Sequence, residues 1–237
     1  EVKPTIVTTV PRLFERIHGR IIKQVDGGSP LQKKIFYRAI EIGKKYANAR
    51  RKNNVSPLLR AQRALADRLV FTKVREKMGG RIKFFVSGGA ALGREFGEFF
   101  EAVGINVIEG YGLTESSPVI TVNPLEDYRF GTVGKPISGV EVKIAEDGEI
   151  LARGPNIMQG YWNNKEATHE VLDKDGWLHT GDIGMFDQDG YLHITDRKKH
   201  LIISSGGKNI APQPLENLFL TSKYVEQFML IGDRRMF

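Results

Sequence analysis

The stretch from Arg81 to Ile108 limits the fold more than any other. Arg81–Val86 reads as a short strand, Ser87-Gly88-Gly89-Ala90 interrupts it, Leu92–Val103 reads as a helix, and Ile105–Ile108 is a second apolar strand. Strand, helix, strand in that order predicts a parallel α/β unit. Upstream, Thr5–Val10 is rich in Ile, Val and Thr and predicts another strand. Pro11 then opens a helix through about Val25, since proline suits a first helical turn. Phe96, Phe99 and Phe100 fall on one helix face, as a helix packed on a sheet requires.

From about Pro118 to Thr195 the texture changes. The runs Val140–Ala145, Glu149–Arg153 and Tyr191–Thr195 are β-like, and Asp-Gly turns punctuate the region at 147–148, 175–176 and 189–190. A smaller β-rich subdomain is expected there. After Asp196-Arg197-Lys198-Lys199 come a short apolar strand, a glycine pair, a helix near Pro214–Leu220 and a strand at Gln227–Ile231, the start of a third unit. The expected division is therefore 1–117, with a basic helical insertion at about 30–78, then 118–195, then 196–237.

Charge separates along the chain. Residues 1–80 hold 19 lysines and arginines against six acids, net +13, whereas residues 81–237 hold 16 against 22, net −6. The excess lies in Leu31–Lys52 and Leu58–Met78. In the first, Leu31, Ile35, Ala39, Ile42 and Tyr46 recur at helical spacing with lysines and arginines largely between them. Such helices either stay soluble through a cationic face or attract an anionic lipid surface or acidic ligand. No recognition fold or aromatic stacking platform accompanies the charge, so nucleic acid is not an expected partner.

The chain has no cysteine, which removes disulfides, zinc–thiolate sites, iron–sulfur clusters and cysteine nucleophiles together. The five histidines, His18, His169, His179, His193 and His200, show no metal-ligand spacing. No apolar run approaches the roughly 18 residues that a membrane-spanning helix needs, and the N-terminus has no signal-peptide pattern. A cytoplasmic protein is expected, with peripheral contact at the inner membrane face as the variant that the basic helices suggest. Trp162 and Trp177 sit among turns and are expected to pin loops. The first residue is not Met and the last follows an apolar run, so the chain reads as a piece of a longer protein.

Three loops could hold a nucleotide. Gly88, Gly89 and Ala90 follow a strand and precede a helix, offering N–H groups to an anion or a flat base; a tight strand–helix turn uses the same residues. In Gly110-Tyr111-Gly112-Leu113-Thr114-Glu115, an aromatic between glycines offers a stacking face. Thr114 adds a hydroxyl for phosphate and Glu115 a hard oxygen for Mg²⁺, although a capped turn reads alike. In Thr180-Gly181-Asp182 a carboxylate follows a glycine, suited to a ribose diol or to an ordinary turn.

In combination these strings resemble the motifs of the adenylate-forming superfamily of acyl-CoA synthetases, luciferases and peptide-synthetase adenylation domains. Tyr111–Glu115 is similar to its adenine-and-magnesium motif. Gly148-Glu149-Ile150-Leu151-Ala152-Arg153-Gly154-Pro155 with Met158-Gln159-Gly160-Tyr161-Trp162 resembles the next, and Thr180–Asp182 and Asp196–Lys199 the two after that. Trp177–Lys199 resembles the fatty acyl-CoA synthetase motif, and Gly206–Gln213 is similar to long-chain members. The resemblance implies part of a large α/β adenylating domain, a β-rich subdomain and the start of a small α+β C-terminal domain. It also implies a long-chain fatty acid–CoA ligase using ATP, Mg²⁺ and coenzyme A through an acyl-AMP.

By that resemblance Gly88, Gly89 and Ala90 flank the adenine and the acyl carboxylate, and Tyr111 and Gly112 border the base. Thr114 touches the α-phosphate, Glu115 binds Mg²⁺, Asp182 holds the ribose hydroxyls and Arg197 reaches the nucleotide. Asp196 and Lys199 form a hinge, and Gly206 and Gly207 line the pantetheine passage. The superfamily's phosphate loop is expected before Glu1 and its C-terminal lysine beyond Phe237, since Lys223 lacks the flanking pattern; the chain by itself is expected to be inactive. A ligase for aryl or medium-chain acids and a non-catalytic nucleotide- or lipid-binding relative are the competing readings.

Overall fold

The computed structural model describes residues 2–203, 209–219, 224–225 and 227–232. It is an α/β protein of two compact units: Glu1–Gly110 with Pro124–Gly131, and Tyr111–Asn123 with Thr132–Phe237.

In the first unit, β1 (Ile6–Thr9), β2 (Phe84–Ser87) and β3 (Asn106–Tyr111, whose last residue opens the second unit) form a parallel ladder, with Phe85 in register with Val7 and Val107. Long helices fill the first crossover. α1 (Pro11–Asp26) has proline at its start. α2 (Pro30–Arg51) opens on a capping box in which the Gln32 N–H donates to Ser29 Oγ and the Ser29 N–H donates to Gln32 Oε1. α3 (Pro57–Ala66) is capped by Ser56 and runs through a π-turn at Asp67–Phe71 into α4 (Thr72–Lys77). α5 (Arg94–Val103) forms the second crossover. The core is aromatic: fully buried Phe14 stands edge-on to Phe85 and Phe100 at 5.2 and 5.4 Å.

Two close approaches lock the helices together. A Cβ on Gly43 of α2 would lie 2.5 Å from the Ala102 carbonyl oxygen, so only glycine lets α2 and α5 meet there. At the end of α5, Arg63 Nη1 donates to the Ala102 carbonyl and Arg75 Nη1 to that of Val103, both at 2.8 Å. Arg75 is itself held by Asp67 across the π-turn at 2.7 and 2.8 Å.

The second unit is β-rich. β4 (Thr121–Val122) and β5 (Lys135–Pro136) pair antiparallel. β6 (Glu141–Ile144), β7 (Glu149–Arg153), β8 (Leu178–Phe186) and β9 (Leu192–Arg197) form an antiparallel sheet in that order. The expected Asp-Gly turns are present, with Asp147, Asp173 and Asp187 accepting backbone N–H groups two residues on. Ile120, Ile150, Ala152 and Leu192 form the core beneath Tyr111. A short helix, α6 (Lys165–Val171), precedes β8. After β9, β10 (Ile202–Ile203) pairs with β11 (Asn209–Ile210), and α7 spans Pro212–Phe219.

Two expectations differ from what the chain does, and one open alternative is decided. Residues 227–232 form no strand. Trp177 is buried beneath Lys143 and Arg153, as a pinning residue would be, but Trp162 is 92% exposed and pins nothing. Asp182 lies within strand β8 rather than in a turn. Among the described residues no helix is long and apolar enough to cross a membrane.

Candidate active site

Asp182 owes its position to an irregular stretch of β8. Glu149 of β7 is in register with Ile183 and Leu151 with His179, so Thr180, Gly181 and Asp182 together face Ile150 alone. A bulge of this kind lifts backbone groups out of the ladder, and side chains replace the lost bonds. Gly181, at φ +71°, donates its N–H to Glu149 Oε1 at 2.8 Å. The Asp182 N–H donates to Thr180 Oγ1 at 3.2 Å, and that hydroxyl donates to the Ile150 carbonyl at 2.7 Å.

The Asp182 carboxylate is buried, with two side-chain partners among the described residues. Tyr111 Oη donates to Oδ2 at 2.7 Å, and Arg197 Nε, from the register-matched position on β9, meets Oδ1 at 3.0 Å. Burial and the neighbouring carboxylate both hold the Tyr111 phenol far above its ordinary range, so it stays protonated and donating. Tyr111 and Arg197, from two separate motifs, thus converge on the carboxylate of a third.

The loop after Tyr111 is rigid for local reasons. A Cβ on Gly112 would lie 1.7 Å from the Pro118 carbonyl oxygen, so no other residue fits. Ser116 Oγ is buried and accepts the Leu113 N–H at 2.9 Å, and Asn156 Nδ2 donates to the Ser116 and Val119 carbonyls. This leaves Thr114 exposed at the start of a one-turn helix and Glu115 half-buried. Tyr161 Oη donates to Glu115 Oε1 at 2.8 Å, and the Met158 N–H to the Glu115 carbonyl. A carboxylate with a phenol as its one side-chain donor among the described residues suits Mg²⁺, which takes one or two protein carboxylates and completes its shell with water and phosphate.

Beside Asp182 lies a second ionic centre. Lys198 Nζ is 2.9 Å from Glu149 Oε2 and 2.6 Å from Asp147 Oδ2, and His179 Nδ1 is 3.3 Å from Glu149 Oε2. Burial works to raise the Glu149 carboxyl, but Lys198, the Gly181 N–H and His179 outweigh it and hold it below the usual range. Asp147, foremost, and Glu149 raise Lys198. Asp196 is buried and accepts the Arg197 N–H at 2.6 Å; Lys199 is exposed, with no ion pair among the described residues.

Gly88, Gly89 and Ala90 belong to the first unit, on the turn after β2, with Gly89 at φ +81°. The expected residues Gly206 and Gly207 lie outside the described residues, as does Lys223. Glu149 and Tyr161 lie within the motif strings and Lys198 within the expected hinge stretch Asp196–Lys199, and the resemblance implies no individual role for any of the three. A carboxylate opening the apolar run Ile150-Leu151-Ala152 was the available signal for Glu149.

The chain belongs to the AMP-binding enzyme family, whose model matches residues 1–162. It is 40% identical over 235 residues to the long-chain-fatty-acid–CoA ligase FadD15 of Mycobacterium tuberculosis, covering 99% of this chain and 39% of that protein. It is 39% identical over 246 residues to the peroxisomal long chain acyl-CoA synthetase 6 of Arabidopsis thaliana, covering 98% and 34%. The chain therefore spans well under half the length of these relatives. Among solved structures, the o-succinylbenzoate coenzyme A synthetase of Bacillus subtilis in complex with ATP and magnesium superposes with a TM-score of 0.58 at 34% identity, over 62% of this chain and 33% of that one.

Proposed function

We propose that the full-length protein is a long-chain fatty acid–CoA ligase. A carboxylate oxygen of the fatty acid attacks the α-phosphorus of ATP, the bond to the β-phosphate breaks and pyrophosphate leaves. The thiol of coenzyme A then attacks the acyl carbon of the acyl-AMP, AMP leaves and the thiol proton goes to solvent. The observation that carries this reading is the convergence of Tyr111 and Arg197 on buried Asp182, within a family of AMP-binding enzymes and beside relatives named for this reaction.

In this reading the ribose hydroxyls donate to Asp182, taking the place of Tyr111 Oη and Arg197. Tyr111 and Gly112 border the adenine, Thr114 meets the α-phosphate, and Arg197, freed from Asp182, turns to the nucleotide; for Gly88, Gly89 and Ala90 the resemblance alone supports a nucleotide-binding role. Glu115 holds Mg²⁺, which neutralises phosphate charge. Asp196 and Lys199 form the hinge to a C-terminal domain beginning near 196, and Gly206 and Gly207 line the pantetheine passage. The test is pyrophosphate release and thioester formation by the full-length protein with ATP, Mg²⁺, palmitate and coenzyme A. Thioester from aryl or medium-chain acids but not palmitate would change the substrate class. No turnover with any acid would leave a nucleotide- or lipid-binding relative.

The cationic helices of the first unit support peripheral contact with the anionic inner face of a membrane, in a cytoplasmic protein. Leu58, Leu65 and Leu69 on α3 and its π-turn are 69%, 60% and 47% exposed, with Arg60 and Arg68 alongside; apolar residues flanked by arginines suit a lipid interface. Sedimentation with phosphatidylglycerol vesicles should exceed that with phosphatidylcholine vesicles and fall with salt. Equal sedimentation with both removes this partner.

A further inference from the structure

We infer that Glu149 is a positioning residue for Asp182: its carboxylate holds the bulged backbone at Gly181 and thereby aims the carboxylate that the proposed function assigns to ribose. The inference rests on that assignment for its consequence but not for its geometry. Gly181 is in the left-handed region and within the bulged stretch of β8, so its N–H has no place in the β7–β8 ladder. Glu149 Oε1 accepts it at 2.8 Å from within the neighbouring strand, with a side chain only 6% exposed. The next residue is Asp182, whose own N–H is also held by a side chain, that of Thr180.

The remaining contacts of Glu149 explain how a buried anion is tolerated there. Oε2 is met by Lys198 Nζ at 2.9 Å and His179 Nδ1 at 3.3 Å, so the two oxygens divide the work: one grips the backbone, the other is neutralised. Lys198 follows Arg197, which binds Asp182 itself. Consecutive cations of the segment leaving β9 are thus fastened to two buried carboxylates that a single peptide, Gly181, links. Displacing Arg197 from Asp182, as a ribose diol must, leaves Glu149 and Lys198 to keep the Asp182 backbone in place.

The two functions of Glu149 are separable by substitution in the full-length protein. Glu149→Gln keeps an oxygen for the Gly181 N–H and discards the charge. Glu149→Asp keeps the charge and withdraws the oxygen by one methylene. Loss of the bond should raise the KM for ATP about tenfold in Glu149→Asp and Glu149→Leu with kcat little changed, and leave Glu149→Gln within about threefold of the parent. A residue that served only to bury a charge pair would give the opposite order, Gln worse than Asp, and that result overturns the inference. Hydrogen exchange over residues 178–184 supplies a readout independent of activity. Protection should drop in Glu149→Asp and persist in Glu149→Gln; equal protection in both also overturns it. Asp182→Ala, measured in parallel, separates the two levels. If it leaves the KM for ATP unchanged, the ribose assignment fails, and the exchange data still decide whether Glu149 holds Gly181.

Discussion

The Leu92 N–H donates to Glu109 Oε1 at 2.9 Å, tying the end of the glycine turn after β2 to an acid on β3 that is 5% exposed. Burial pushes the Glu109 carboxyl up to about 7, even though the Leu92 and Gly131 N–H groups pull the other way. A carboxyl raised in the folded state binds its proton more tightly there than in the unfolded chain. Stability contributed by this group is therefore fully present below the ordinary carboxylate range, is lost as pH rises towards about 7, and stays lost above it. The loss is of order 3 kcal/mol. Glu109→Gln, which keeps the oxygen for Leu92, should flatten that slope and stabilise the protein at pH 8. Urea midpoints at pH 5 and pH 8 for both proteins measure it, and an unchanged slope would show that another group titrates.

Two helical glycines should respond with opposite signs. A Cβ on Gly19 of α1 meets nothing within 4 Å, so Gly19→Ala should gain the helix preference of about 0.5–1 kcal/mol. At Gly43 the same gain is opposed by backbone 2.5 Å away on α5, and Gly43→Ala should cost about 1–3 kcal/mol net because neither helix can yield cheaply. Thermal unfolding of the pair gives the comparison.

Tyr111→Phe deletes the hydroxyl on Asp182 Oδ2 and leaves Arg197 as the side-chain partner of the carboxylate among the described residues. Hydrogen bonds to buried charge contribute about 1.5–3 kcal/mol, and a loss of that size in chemical denaturation is expected. A loss below about 0.5 kcal/mol would mean that water replaces the phenol freely.

Lys199→Pro tests the hinge assignment. Proline fixes φ and removes one backbone donor, so movement about this residue is restricted. In the full-length protein, pyrophosphate release from ATP and fatty acid should be largely retained, while coenzyme A consumption from supplied acyl-AMP should slow. Equal slowing of both steps would take the hinge elsewhere.

Much of the first unit was legible because its signals are local. Pro11 opens a helix, and the apolar residues of α5 repeat at helical spacing. The second unit was legible in its turns, where Asp-Gly dictates geometry, but not in β8. Its residues Leu178-His179-Thr180-Gly181-Asp182 have the composition of a loop, and what makes them a strand is pairing on both sides plus bonds from Glu149 and Thr180. α6 buries no residue and so leaves no amphipathic stripe to read. The motif strings named Tyr111 and Asp182, but not that the phenol would donate to the carboxylate, since they are 71 residues apart.

The guanidinium groups of Arg63 and Arg75 at the end of α5 have a consequence for how the basic helices can be altered. The last carbonyls of a helix carry partial negative charge, and here two cations from the segment between β1 and β2 satisfy them. Excising that segment to shorten the protein, or grafting in a counterpart without both arginines, would strip the cap from a helix that buries Phe99 and Phe100. The region has the sequence texture of an appendage, but it is a fixed part of the scaffold whose removal would be felt in the sheet beneath.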